Sequence, residues 1–282
     1  MIIPCPGSGT CLVITGYPFL FYWMMHKYAI INKQDILSEN LAESLKSHLN
    51  EFMSYDEKNP ELVITVGGDG TVLHSVHQYR HQLDTVAFVG IHTGTLGFLT
   101  DYQKEEYLDL IADIKMGDYH IYNRHLLDVM TNKDTYIALN ELRLENNMRS
   151  QVLDVYINDE FLETFRGNGL CVSTASGSTA YNKSLGGAVV CSGAGIMQLS
   201  EIAGIHHNAY RSLGSSLILD KNDTIHFESQ NFQNAVLGID HLVFDLRDVE
   251  YVDVKIAAQY ARFAQFKRVS LMERLKRAFL DV

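Results

Sequence analysis

Leu62-Val63-Ile64-Thr65-Val66-Gly67-Gly68-Asp69-Gly70-Thr71 decides how the first half of this chain is read. An unbroken apolar and β-branched run suits a strand buried on both faces, as in a parallel sheet covered by helices. Residues 67–70 must then form a loop, and residues 71–79 read as a helix. Glycine lets the backbone turn sharply and bring its N–H groups against an anion. The N-terminus of the helix that follows adds a favourable dipole. No lysine follows, so this is not the G-x-x-x-x-G-K-[ST] nucleotide loop. An acid, Asp69, stands among the glycines instead. A carboxylate beside bound phosphate is costly unless it binds a cation or takes a proton from an attacking hydroxyl. That suits phosphoryl transfer with Mg²⁺ neutralisation. A tight turn with a capping aspartate is the plainer alternative.

Working outward, residues 28–32 form a short strand. Residues 35–52 place Leu37, Leu41, Leu45, Leu49 and Phe52 on one helical face. Residues 86–91 repeat the buried-strand pattern, and 105–114 read as a helix ended near Gly117. Strand and helix alternate, the signature of a parallel sheet with flanking helices. After Arg124 the rhythm changes. Residues 153–157 and 161–165 alternate around Asn158-Asp159, a hairpin pattern. Further strands near 217–219, 224–227, 235–239, 242–244 and 251–256 predict an antiparallel β-sandwich. Residues 266–282 close the chain as an amphipathic helix whose basic face (Lys267, Arg268, Arg274, Lys276, Arg277) reads as solvated.

A formal net charge of −11 over 282 residues argues against a nucleic-acid or anionic-membrane binder. Cys5, Cys11, Cys171 and Cys191 have neither C-x-x-C nor zinc spacing, which fits free thiols in a reducing cytoplasm. No stretch reaches the roughly 20 apolar residues that span a bilayer. Residues 1–24 carry no Lys, Arg, Asp or Glu and lack a convincing basic n-region and cleavage site. They read as an extension upstream of a protein that begins at Met25.

Three more segments carry chemistry. Thr93-Gly94-Thr95-Leu96-Gly97-Phe98 follows the next strand, so it shares a rim with the Asp69 loop. Phe98 there either stacks on a base or anchors the core. Asn140-Glu141 pairs an amide with a carboxylate that together can read an adenine edge and a ribose hydroxyl. Residues 174–184, from Thr174 to Ser184, are dense in small hydroxyls and are backed by Leu185-Gly186-Gly187, which suits close packing on a polar ligand. His74, His77 and His81 have helical spacing but no cysteine joins them, so they read as a half-exposed helix face rather than a metal site. Ser176 and Ser178 lack a G-x-S-x-G elbow, which sets serine hydrolysis aside.

In this order and spacing, G-G-D-G, T-G-x-L-G-F, Asn-Glu, Arg166-Gly167-x-Gly169 and S-G-S-T-A-Y-N-K-S resemble the bacterial NAD kinases from Met25 to the C-terminus. The resemblance implies a phosphofructokinase-like α/β domain (25–122 and 265–282) and a β-sandwich (123–264), with the last helix returning to the first domain. It implies transfer of the ATP γ-phosphoryl to the adenosine-ribose 2′-hydroxyl of NAD, with Mg²⁺, by homodimers or homotetramers that share sites. By position Asp69 would be the general base, and Gly67, Gly68, Gly70 and Thr71 would cradle phosphates. Phe98 would lie on the adenine, with Asn140 and Glu141 holding the adenosine. Arg166 would favour the phosphate side. Thr179, Ala180, Tyr181, Asn182, Lys183, Ser184 and Ala203 would line the dinucleotide site, joined by Asp240 and His241. The chain departs from R-G-D-G at Asn168, near the expected nicotinamide, and from T-P-x-G at Ala175. Two rivals stand beside this reading. Diacylglycerol-type lipid kinases share G-G-D-G but continue P-x-G-T-x-N-D. A non-catalytic dinucleotide sensor would not need Asp69.

Overall fold

The computed structural model describes residues 25–282 except 95, 96, 147, 192, 207, 209, 231, 281 and 282. The expected extension, residues 1–24, therefore lies outside the described residues.

The first half alternates strand and helix. β1 (Lys27–Asn32) leads into α1 (Ile36–Leu49), which is capped by Asp35 accepting from the Ser38 N–H. The short β2 (Ser54–Tyr55) precedes β3 (Leu62–Gly67), α2 (Asp69–Gln78), β4 (Ala87–His92) and the short β5 (Tyr102–Gln103). α3 (Tyr107–Met116) stops at Gly117, whose φ of 71° is the left-handed C-cap that glycine adopts without strain. β1, β2, β3 and β4 pair parallel. Alternate residues face opposite layers: Tyr28 and Ile64 meet Leu45 of α1 and Leu110 of α3, whereas Ala29 and Val63 meet Val72 and Val76 of α2.

The second half contains β6 (His120–Thr131), β7 (Thr135–Ala138), β8 (Glu141–Glu145), β9 (Gln151–Ile157) and β10 (Glu160–Gly167). β11 (Gly169–Thr174), the single-turn α4 (Tyr181–Ser184), β12 (Ile196–Ile202), β13 (Leu217–Asp220) and β14 (Thr224–Glu228) follow. β15 (Val236–Ile239), β16 (Leu242–Asp245), β17 (Tyr251–Gln265) and α5 (Leu271–Phe279) complete the chain. Asn158 and Asp159 both take positive φ, 52° and 67°, as a tight hairpin turn requires. β13-β12-β11-β8-β15-β16 form an antiparallel sheet. Its Leu144, Val172 and Leu199 pack against Val155, Phe227 and Val254 of the larger sheet to make the sandwich core.

One strand joins the halves. β17 runs antiparallel to β14 and β6, and its end pairs parallel with β4, Arg262 opposite Ala87. The larger sheet is thereby continuous, β10-β9-β14-β17-β4-β3-β1-β2. The boundaries expected at 122/123 and 264/265 fall inside β6 and β17.

Three local expectations are corrected. The helix after the glycines begins at Asp69, with Gly68 as its N-cap, so Asp69 and Gly70 belong to the first turn rather than to a loop. The last helix covers only Leu271–Phe279, and one member of its basic face, Arg274, is buried. His77 is also buried rather than half-exposed.

Candidate active site

The strand-to-helix turn at Gly67–Asp69 is dictated by crowding. A β-carbon on Gly67 would fall 2.2 Å from Thr71 Oγ1, whereas one on Gly70 would meet nothing within 4 Å. Gly70 and Thr71 thus face an open cleft of about 920 Å³, which Lys33, His92 and Gly94 also line. Lys33 ends its strand region on the same rim and pairs with Asp35 at 3.0 Å. His92 Nδ1 accepts from the Gly94 N–H at 2.8 Å. That bond leaves the proton of a neutral ring on Nε2, the atom nearest Gly68. Burial lowers the His92 pKa from its ordinary value, against the opposing pull of Asp69, so the ring is neutral at pH 7. Backbone amides, a helix N-terminus, an ammonium and an imidazole N–H together suit phosphate oxygens. Sequence reasoning missed Lys33 and His92. Their positions at the carboxyl ends of β1 and β4 were the available signal.

Asp69 is fixed from the far side. Its carboxylate accepts from the Phe98 N–H (2.8 Å) and the Leu99 N–H (3.0 Å). Arg124 donates to the Phe98 carbonyl and to Ser176 Oγ, both at 3.2 Å. Arg274 donates to the Gly97 and Thr100 carbonyls and pairs with the buried Asp101. The loop holding Asp69 is therefore gripped by two side chains, Arg124 and Arg274, that lie far apart in sequence. The Phe98 ring stacks on Phe279 of α5 (centroids 5.6 Å apart, 26° between planes), and Lys183 lies 4.2 Å over the other ring. Phe98 thus already has an aromatic partner where an adenine was expected. Thr95 and Leu96 lie outside the described residues.

Asn140 and Glu141 form a buried turn. Asp240 accepts from the N–H groups of Leu139 and Asn140 (2.8 Å each) and of Glu141 (3.2 Å). Gly177 presses against it so closely that a β-carbon there would stand 2.1 Å from the Asn140 carbonyl oxygen. Yet Asn140 Oδ1 and Glu141 Oε2 are buried with no protein partner. Leaving such groups unsatisfied costs about 1–3 kcal/mol each, so the turn holds two acceptors with capacity for outside donors. Burial, reinforced by the Asp240 charge, pushes the Glu141 carboxyl up to about 7. The backbone N–H of Tyr181 contributes in the opposite sense.

The other expected residues divide into two groups. Thr179, Ala180 and Tyr181 are half-buried beside this turn, and Ser184 is exposed. Asn182 is buried: it accepts from Ser200 Oγ at 2.8 Å and keeps Nδ2 unpartnered. Asp240, expected at the ligand, has both carboxylate oxygens taken up within the protein. His241 packs edge-on against His74 and His77. Arg166, Asn168 and Ala203 cluster elsewhere. Arg166 lies 4.4 Å over Tyr210, Asn168 Nδ2 donates to the Asn146 carbonyl at 3.3 Å, and the Ala203 carbonyl crowds Gly167. Because Glu141 pairs with Ser173 and Glu145 with Gly169, this group sits a strand length, roughly 14 Å, from the Asn140 turn. Among the described residues no three His, Cys, Asp or Glu side chains form a metal cage.

A phosphate cradle at the carboxyl ends of parallel strands, with a fixed carboxylate in it and a polar turn nearby, is the equipment of a nucleotide-dependent phosphotransferase. Comparison with known proteins agrees and narrows the class. The ATP-NAD kinase N-terminal domain family is matched over residues 24–119, and the ATP-NAD kinase C-terminal domain family over residues 139–265. The chain belongs to the ATP-NAD kinase family. It is 40% identical over 260 residues to the NAD kinase of Lysinibacillus sphaericus, covering 90% of this chain and 98% of that one. It is 39% identical over 261 residues to NAD kinase 1 of Bacillus subtilis, with the same coverage. The fold is shared with yeast NADH kinase complexed with NADH (TM-score 0.80, 20% identity, covering 92% and 89% of the two chains). It is also shared with an Archaeoglobus fulgidus NAD kinase in complex with ATP (TM-score 0.70, 21% identity, covering 89% and 95%).

Proposed function

We propose that this protein phosphorylates NAD to NADP, transferring the γ-phosphoryl of ATP to the 2′-hydroxyl of the adenosine ribose. The observation that carries the reading is the Asp69 carboxylate, held by two amides at the first turn of α2 inside the glycine cradle. Asp69 takes the proton of the 2′-hydroxyl as its oxygen attacks the γ-phosphorus, and the bond to the β,γ-bridging oxygen breaks to release ADP. Gly68, Gly70, Thr71, Lys33 and His92 hold phosphate oxygens, while Asn140 and Glu141 hold the adenosine ribose. Positioning and charge stabilisation supply most of the rate.

Mg²⁺ takes oxygen ligands, keeps several waters, and is commonly bound by one or two carboxylates plus substrate phosphates. The carboxylate that lines the cleft, Asp35, is already paired with Lys33, so the ion would be carried mainly by the ATP phosphates. When bound, the ion neutralises charge on the donor phosphates.

Arg166, Asn168 and Ala203 serve a site completed by a second copy, as a homodimer or homotetramer. Their distance from the Asn140 turn within one chain supports this. A cytoplasmic setting fits the free thiols of Cys171 and Cys191, and no helix among the described residues is long and apolar enough to cross a membrane. Family membership in both halves weighs against the lipid-kinase alternative.

The test couples NADP formation from NAD, ATP and Mg²⁺ to an NADP-specific dehydrogenase. Asp69→Asn should lower kcat by about 10²–10⁴-fold and leave NAD binding intact. Near-normal turnover in that variant would sink Asp69 as the base. Binding without turnover in the parent protein would favour a sensor.

A further inference from the structure

We infer that His77 is a positioning residue for NAD, fixing through Asp240 the turn that presents Asn140 and Glu141. The inference rests on reading that turn as the adenosine clamp.

His77 lies on α2, eight residues beyond Asp69, or about 12 Å along the helix axis. Its Nε2 sits 2.8 Å from Asp240 Oδ2, with the two side chains 9% and 0% exposed. An ionised carboxylate only accepts, so His77 is the donor. The same Oδ2 accepts from Leu139, and Oδ1 accepts from Asn140 and Glu141. Each oxygen thus carries two donors, and four bonds fix the plane of the carboxylate. Asp240 reaches this position from a backbone at φ 51°, a left-handed conformation that aspartate tolerates better than most residues. His241 packs edge-on against the His77 ring at 5.2 Å.

The consequence is geometric. The helix that begins with Asp69 and the turn that carries the unpartnered Asn140 Oδ1 and Glu141 Oε2 are tied by one buried hydrogen bond spanning 163 residues of sequence. Without it, Oδ2 loses one of its two donors and the carboxylate can rotate. The three N–H groups it organises then lose their common anchor, and the clamp is no longer in register with the base. Asp69 itself stays held by Phe98 and Leu99. The defect should therefore fall on NAD affinity rather than on chemistry.

The experiment measures kcat, the KM values for NAD and ATP, NAD binding by titration calorimetry, and thermal unfolding. It compares the parent protein with His77→Leu, His77→Gln and Asn140→Ala. His77→Leu should raise the NAD KM and Kd about tenfold, the equivalent of one hydrogen bond to a charged group. The KM for ATP should not move, and kcat should change by less than about threefold. His77→Gln, whose amide can donate to Asp240, should recover most of the NAD affinity. His77→Asn, polar but too short to reach, replaces the leucine variant if that one does not fold. An unchanged NAD KM in a folded His77→Leu protein, with Asn140→Ala weakened, overturns the inference and spares the clamp. A loss in His77→Leu that glutamine does not repair also overturns it. If Asn140→Ala binds NAD normally, the clamp reading falls and this inference falls with it.

Discussion

Gly97 and Asp69 claim the same volume: a β-carbon on Gly97 would stand 2.1 Å from Asp69 Oδ1 and 2.5 Å from its Cγ. The bare backbone of Gly97 is what lets the Phe98 and Leu99 amides close on the carboxylate. Gly97→Ala should push Asp69 out of place and lower kcat by about 10²-fold, the scale of a 1 Å misplacement of a reacting group. Coupled kinetics on a variant with unchanged circular dichroism would measure this. A kcat within about twofold of the parent would show that the carboxylate's present seat does not matter.

Glu141 makes the pH dependence of stability testable. Its folded pKa, about 7, lies above the ordinary 4.5, so between those values the folded state holds a proton that the unfolded state has released. Stability from this group is complete below pH 4.5 and is lost as pH rises through 7. Glu141→Gln, which stays neutral, should gain on the parent protein by up to about 3 kcal/mol from pH 5 to pH 8. Urea midpoints of both proteins at the two pH values test it, and parallel curves would place the Glu141 carboxyl at an ordinary pKa.

Arg274 turns a solvated-looking helix into a clamp. Arg274→Met strands the buried Asp101 carboxylate, so it should cost about 3–5 kcal/mol. Adding Asp101→Leu should recover most of that loss while kcat stays reduced, because the Gly97 and Thr100 carbonyls still lack their donor. Denaturant unfolding and coupled kinetics on the single and double variants separate the two effects.

Asn168→Asp restores the acid of the R-G-D-G pattern that the resemblance leads one to expect. It also removes the Nδ2 donor to the Asn146 carbonyl and sets two oxygens facing each other. The exchange should destabilise by about 1–3 kcal/mol and change the KM for NAD, with kcat little affected. An unchanged KM would remove Asn168 from dinucleotide handling.

The Asp69 turn and its flanking strand are readable in sequence because their cause is local: an unbroken apolar run, then glycines, then a helical period. The Asn158-Asp159 hairpin is readable for the same reason. Arg274 is not. On a short helix, amphipathicity gives no sign that one cation of several will reach a carboxylate on a distant loop. The His77–Asp240 bond is equally hidden, because helical spacing says which face a histidine occupies but not what packs there. Lys33 and His92 lie between these cases. The rim rule points to strand ends without saying which side chains turn into the cleft.

The placement of β17 has a consequence for synthesis on the ribosome. β4 is buried along nearly its whole length and pairs with β3 on one side, but its partner at Ala87 and Phe88 on the other side is the far end of β17, Arg262 and Phe263. The nascent α/β sheet must wait for almost the entire polypeptide before that edge is closed. Long-range pairing of this kind folds slowly and leaves strand edges open to aggregation in the meantime. Premature termination before Arg262 should therefore yield not a smaller working nucleotide-binding unit but an unfinished one, with its central strand still seeking a neighbour.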